Sequence, residues 1–207
     1  FVLHTTAQVV LPDLIITNGR IFDGTGNSWY RADLSIKDDR IMEVKKGLTQ
    51  KYPKVKVIDA GNKIVAPGFI DVHGHIEGSI FERPTADNYI YDGVTTVVTG
   101  NCGSGADDIG VFLKGVDSIK TSINVASLAG HNTIRRLGMG LENRKATAEE
   151  MKKMEEITLK AMQDGAVGLS TGLIYLPGMY APTEEIVNLD KVASTHGGVY
   201  STHMRYE

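Results

Sequence analysis

Two regimes of hydrophobic and polar patterning meet near Pro67-Gly68. Before that point the chain reads as short β-strands, with apolar and polar residues alternating as they do on a half-buried strand. The segment Asp13-Leu-Ile-Ile-Thr-Asn-Gly-Arg-Ile-Phe-Asp23 groups β-branched residues around Asn18-Gly19, a dipeptide that predicts a hairpin turn. Ala32 to Lys46 alternates around a second turn at Asp38-Asp39, and Val55 to Ile58 and Lys63 to Val65 predict two more short strands. The expectation is a small antiparallel β unit over residues 13–66, preceded by a leader over 1–12.

After Pro67 the period changes repeatedly. Short apolar runs at Gly68 to Val72, Val94 to Thr99, Ile123 to Leu128, Ala166 to Ser170 and Val199 to Thr202 are separated by stretches of helical character. This is the βα alternation of a parallel sheet, over residues 67–207. The clearest helix starts at Thr147, because Thr147-Ala-Glu-Glu150 has the spacing of a capping box that satisfies unpaired N–H groups. Met151, Met154, Ile157 and Ala161 then recur on one face, and Gly165 supplies the stop. Such a stripe predicts core packing, as it does for Ile186, Leu189, Val192 and Ala193. Counting gives about five βα units where a closed barrel of this type needs eight, so an open doubly wound sheet is the alternative architecture.

Composition narrows the class. With 207 residues, 42% of them hydrophobic, the chain is long enough to bury a core. A formal net charge of -3 leaves no basic excess for neutralising phosphates, so nucleic acid is not an expected partner. The longest apolar run falls well short of the ~20 residues that span a bilayer. A single cysteine, Cys102, excludes an internal disulfide and leaves one thiol for chemistry or a metal. The opening Phe-Val-Leu-His-Thr-Thr-Ala7 reads as the end of a signal peptide, which favours a periplasmic or secreted protein over a cytoplasmic one.

The most specific stretch is Pro67-Gly-Phe-Ile-Asp71-Val-His73-Gly-His75. If it stays extended, Asp71, His73 and His75 share a face opposite Ile70 and Val72. Two imidazoles one residue apart at a strand end reach a single ion, and the Asp71 carboxylate is placed to orient a ring behind them. Zinc is the expected metal. The bland alternative is a pair of solvated loop histidines beside a glycine turn.

Following a small β unit, this stretch resembles the opening of the amidohydrolase superfamily. Four further segments narrow the resemblance to the N-acyl-D-amino-acid deacylases: Thr99-Gly-Asn-Cys102-Gly, Ala129-Gly-His-Asn-Thr-Ile-Arg135, Gly165-Ala-Val-Gly-Leu-Ser-Thr-Gly-Leu-Ile-Tyr175, and Tyr200-Ser-Thr-His203-Met-Arg205. The resemblance implies a distorted (β/α)8 TIM-type barrel, incomplete here, beside a β-sandwich to which residues 13–66 contribute. It implies zinc held tightly by Cys102, His203 and a further histidine, and a weaker second position formed by His73 and His75 sharing Cys102. It implies hydrolysis of an N-acyl-D-amino acid, a small-molecule substrate, by zinc-activated water. The further histidine and a general-base aspartate are expected beyond Glu207, so this stretch alone is expected to be inactive.

Other residues carry weaker expectations. Tyr175 either reaches substrate, as the resemblance implies, or packs on Leu176 and Pro177. Arg205 either binds a carboxylate or braces the loop after the fifth strand. His131 is expected in a structural hydrogen bond, and His4 and His196 in no site. The rival functions are a cyclic-amide hydrolase of the dihydroorotase or hydantoinase kind, and a non-catalytic barrel remnant acting as a scaffold.

Overall fold

In the computed structural model, which describes residues 10–206, the chain divides at Pro67/Gly68 into two compact units. The apolar opening Phe1 to Ala7, with His4, lies outside the described residues.

The first unit is one five-stranded sheet in which β1 (Leu14–Ile21), β2 (Tyr30–Lys37) and β3 (Arg40–Lys45) pair antiparallel. A short helix, α1 (Leu48–Lys51), leads to β4 (Lys56–Asp59) and β5 (Ile64–Val65). Asn18-Gly19 does not make the expected hairpin. The two residues lie inside β1, where Asn18 takes a left-handed φ of 56° and the pairing with β2 shifts between Ile16 and Gly19. This is a bulge, which the same left-handed geometry serves equally well. Its position matters to the sheet, because β1 pairs with β4 before the bulge and with β5 after it. The turn at Asp38, with φ 51°, forms as expected between β2 and β3. The sheet is mixed rather than antiparallel, since the α1 crossover returns β4 and β5 parallel to β1. Ile15, Leu48 and Tyr52 bury together where α1 covers the sheet.

In the second unit the strands are all parallel. The order is β6 (Phe69–Asp71), α2 (Ser79–Glu82), α3 (Asp87–Tyr91), β7 (Val94–Thr99), α4 (Ile109–Ile119), β8 (Asn124–Ser127), β9 (Ala129–Gly130) and α5 (His131–Met139). Then come α6 (Ala148–Gln163), β10 (Gly168–Gly172), a 3-10 turn (Gly178–Tyr180), α7 (Thr183–Thr195) and β11 (Val199–His203). β6, β7 and β8 form one ladder, and β9, β10 and β11 another. Only Leu128 separates β8 from β9, and hydrogen bonds from Leu128 N to Thr99 O (2.8 Å) and from Val167 N to Ser127 O (2.9 Å) carry the pairing across the break. The five apolar runs of the sequence are therefore laid side by side in chain order.

Helix α6 begins as its sequence predicts: the Thr147 side chain accepts Glu150 N–H while the Glu150 carboxylate accepts Thr147 N–H. Its Met154 and Ala161 bury against Leu169 of β10 and Leu189 and Ala193 of α7, with Met151 and Ile157 packed at the margin. Helix α5 was not foreseen as an element. It carries polar residues, yet His131, Asn132, Thr133, Ile134 and Arg135 are all buried, so its polar side chains are inside and blur the amphipathic signal.

Candidate metal centre

Strand β6 ends at Asp71, and the chain bends before the histidines. The strand alternation that would put Asp71, His73 and His75 on one face therefore stops short of them. Asp71 Oδ1 instead accepts the His73 backbone N–H at 3.0 Å, an Asx-type turn that aims the next residues. The observed contact of Asp71 is thus to the main chain of His73, not to a ring. The bend still brings the two imidazoles together, with centroids 5.4 Å apart in an edge-on arrangement.

Cys102 follows the end of β7 in a left-handed conformation, φ 54°. Its Sγ lies 3.4 Å from His73 Nε2 and 3.6 Å from His203 Nδ1. Ligand atoms of His73, His75 and Cys102 all fall within 4.8 Å of one another. Burial pushes the Cys102 thiol above its ordinary range. His203 is the last residue of β11 and pairs in register with Gly172 of β10.

Buried polar side chains hold these loops together. Thr99 Oγ1 accepts Ile76 N–H (3.2 Å) and donates to Gly74 O (3.3 Å). Asn101 Nδ2 donates to Val72 O (3.3 Å) and Val98 O (3.0 Å), and Glu77 Oε1 accepts Gly100 N–H at 2.7 Å. The Cys102 turn and the histidine bend are thus one hydrogen-bonded body. Tyr89 stands beside it, its phenol pushed up by burial and then by the Asp71 and Glu77 carboxylates. None of Thr99, Asn101 or Glu77 was singled out from sequence, because each acts through backbone groups of a loop distant along the chain.

The remaining expected residues lie around this body. The Tyr175 ring stands edge-on to His203, with centroids 5.0 Å apart, and is 47% exposed. Arg205 donates to Met179 O (2.6 Å) and Ala181 O (2.9 Å). His131 is fully buried and pairs with Glu185 at 2.9 Å, so it does make a buried hydrogen bond. His196, exposed at the end of α7, contacts its own helix through Val192 O.

The amidohydrolase family pattern matches residues 56–191 of this sequence, more than half of it. The chain belongs to the amidohydrolase family. This amidohydrolase is similar to the N-acyl-D-glutamate deacylase of Alcaligenes xylosoxydans xylosoxydans, 36% identical over an alignment of 217 positions that covers 94% of this chain and 44% of that protein. The D-aminoacylase of the same organism is 36% identical over an alignment of 218 positions that covers 94% of this chain and 45% of that protein. A solved structure of N-acyl-D-glutamate deacylase from Bordetella bronchiseptica, complexed with zinc and a phosphonate mimic of the tetrahedral intermediate, superposes with a TM-score of 0.88. It shares 36% identity and is matched over 95% of this chain and 46% of its own. The amidohydrolase chain described here thus spans a little under half the length of these relatives.

Proposed function

We propose that the whole protein to which this sequence belongs is a zinc-dependent N-acyl-D-amino-acid deacylase, hydrolysing a linear amide to a carboxylate and a free D-amino acid. The single observation that carries the reading is Cys102 Sγ, which stands between His73 and His203 within 3.6 Å of a ring nitrogen of each. The similarity to deacylases over nearly the whole chain supports the choice of substrate class.

The donor set fits zinc. Thiolate sulfur and imidazole nitrogen are the ligands that this borderline ion prefers, and His73, His75 and Cys102 offer them from one small volume. Cys102 contacts both His73 and His203, so we assign it to both of two positions: one with His203, the other with His73 and His75. When bound, zinc supplies a water acidified toward neutrality and polarisation of the scissile carbonyl. This chain's residues supply the rest. Asp71 fixes the bend that aims His73, Tyr175 packs edge-on beside His203, where its phenol would serve the substrate, and Arg205 pins the loop at Met179 and Ala181.

In this reading the parallel strands of the second unit, with β8 and β9 counted as one, are the first five of a (β/α)8 barrel, and the ligands sit at strand ends where barrel enzymes carry their chemistry. The first unit is then the N-terminal share of the β-sandwich. The test is hydrolysis by the full-length protein of N-acetyl-D-methionine, N-acetyl-D-glutamate and their L enantiomers. Release from a D substrate that a chelator abolishes and zinc restores is the expected result. No release from any of them by zinc-loaded protein would move the assignment to a different amide.

A further inference from the structure

The Cys102 turn is a conformation the chain does not hold by itself. Gly100, Cys102 and Gly103 have φ of 79°, 54° and 73°, and a left-handed cysteine is an outlier that persists only where its surroundings fix it. One side chain reaches both ends of the turn. Ser170, fully buried on β10, accepts Gly103 N–H at 3.1 Å and donates its own proton to the Gly100 carbonyl. Donor and acceptor capacity of the hydroxyl are both used. The contact is long-range in the fold as well as in sequence, since β8 and β9 lie between β7 and β10.

Strand β10 has a second link to the centre. Two residues after Ser170, Gly172 pairs in register with His203, and Leu173 N–H is bonded to His203 O at 2.9 Å. The strand that clamps the Cys102 turn is therefore also the strand against which His203 is set.

We propose that Ser170 is a positioning residue of the metal centre: by closing the Gly100–Gly103 turn it fixes Cys102 Sγ at the spacing from His203 that lets both bind one ion. The proposal rests on the reading of Cys102 as a ligand. The Ser170 hydroxyl is engaged by the turn itself, so its proposed effect is through the place of the thiol.

The test is a double-mutant cycle in the full-length protein, reading zinc affinity by chelator competition and, after cobalt substitution, the thiolate-to-metal charge-transfer absorption. Cys102→Ser comes first, and if it leaves zinc affinity and the absorption band unchanged, the ligand reading itself fails. With that reading intact, Ser170→Ala is expected to weaken zinc binding about 10-fold or more and to diminish or shift the band, the scale seen when groups behind metal ligands are removed. In the Cys102→Ser background the same change is expected to have little further effect. Leu169→Ala, a buried change on the same strand that leaves the turn's hydrogen bonds in place, is expected to lower thermal stability without moving the band. Wild-type affinity in Ser170→Ala, a penalty undiminished without Cys102, or an equal spectral change in Leu169→Ala would each overturn the proposal. If Ser170→Ala does not fold, Ser170→Cys, similar in volume with a weaker donor, is read in its place. A smaller shift in the same direction supports the clamp, and a wild-type spectrum and affinity sink it.

Discussion

The backbone of Gly172 lies so close to the carbonyl oxygen of Cys102 that a Cβ built there would stand 2.0 Å from it. That oxygen belongs to a turn tied down by Thr99, Asn101 and Ser170, so it has nowhere to retreat. Gly172→Ala is therefore expected to cost roughly 1–3 kcal/mol, the range for overpacking a close-packed interior, and to weaken zinc binding with it. Gly78 is the contrast: it has open space around it and an ordinary negative φ. Thermal or denaturant unfolding of the full-length protein separates them. Equal midpoints for Gly172→Ala and Gly78→Ala would show that the contact has no energetic weight.

A second prediction concerns charge buried under α5. Glu185 receives Arg135 Nη1 at 2.5 Å and His131 Nε2 at 2.9 Å, and both partners are withdrawn from solvent. Burial pushes the Glu185 carboxyl up, but the hydrogen bonds from His131 and Arg135 outweigh it and hold the group below its ordinary range. Glu185→Gln leaves the Arg135 guanidinium buried without its counter-charge, which costs roughly 3–5 kcal/mol in such settings. The exposed pair Lys152–Glu156, at 4.0 Å, is the control, and its removal is expected to cost about 0.5 kcal/mol or less. Denaturant titrations of the two variants measure the difference directly, and similar losses would refute it.

Much of the second unit was legible because its strands are buried runs and α6 advertises both ends, with a capping box at Thr147 and Gly165 after its last turn. The first unit was read less well. Asn18-Gly19 has the chemistry of a left-handed pair, and that chemistry serves a bulge as well as a turn; only the pairing of β1 with β2 on both sides of it decides between them. At the centre, residue type pointed to His73, His75 and Cys102, whose donor atoms do converge. What sequence hid were the groups that hold them. Asn101 and Ser170 act on main-chain atoms up to 70 residues away, and nothing local in the sequence distinguishes such a serine from any other strand serine. Helix α5 was hidden for a related reason, since its buried face carries His131 and Arg135 where a helical pattern is sought in apolar residues.

Acid sensitivity at the start of α6 has a defined sign. The Arg144 guanidinium, and then the Thr147 backbone N–H, hold the Glu150 carboxyl down from its ordinary value near 4.5 to about 2. Because the folded value lies below the unfolded one, the stabilisation is fully present above pH ~4.5 and is lost as pH falls toward 2. The stability difference between wild type and Glu150→Gln is therefore expected to stay level from neutral pH to about 4.5 and then to shrink. Denaturant midpoints for both proteins across that range provide the check. A difference that widened on acidification would contradict the assigned pair.

The last prediction separates the two proposed metal positions. Cys102 Sγ lies 3.4 Å from His73 Nε2 and 3.6 Å from His203 Nδ1, so in the proposed assignment the thiolate is common to both positions and the histidines are not. Loss of a ligand is expected to empty its own position first. His203→Ala should abolish zinc that survives dialysis of the full-length protein, whereas the paired change His73→Ala with His75→Ala should leave that zinc in place and remove only the extra metal taken up in excess zinc. Cys102→Ser should lower both. Metal content by elemental analysis, before and after dialysis, distinguishes these patterns. If the paired histidine change strips the dialysis-resistant zinc while His203→Ala retains it, the tight position lies with His73 and His75, and the assignment of the two positions must be exchanged.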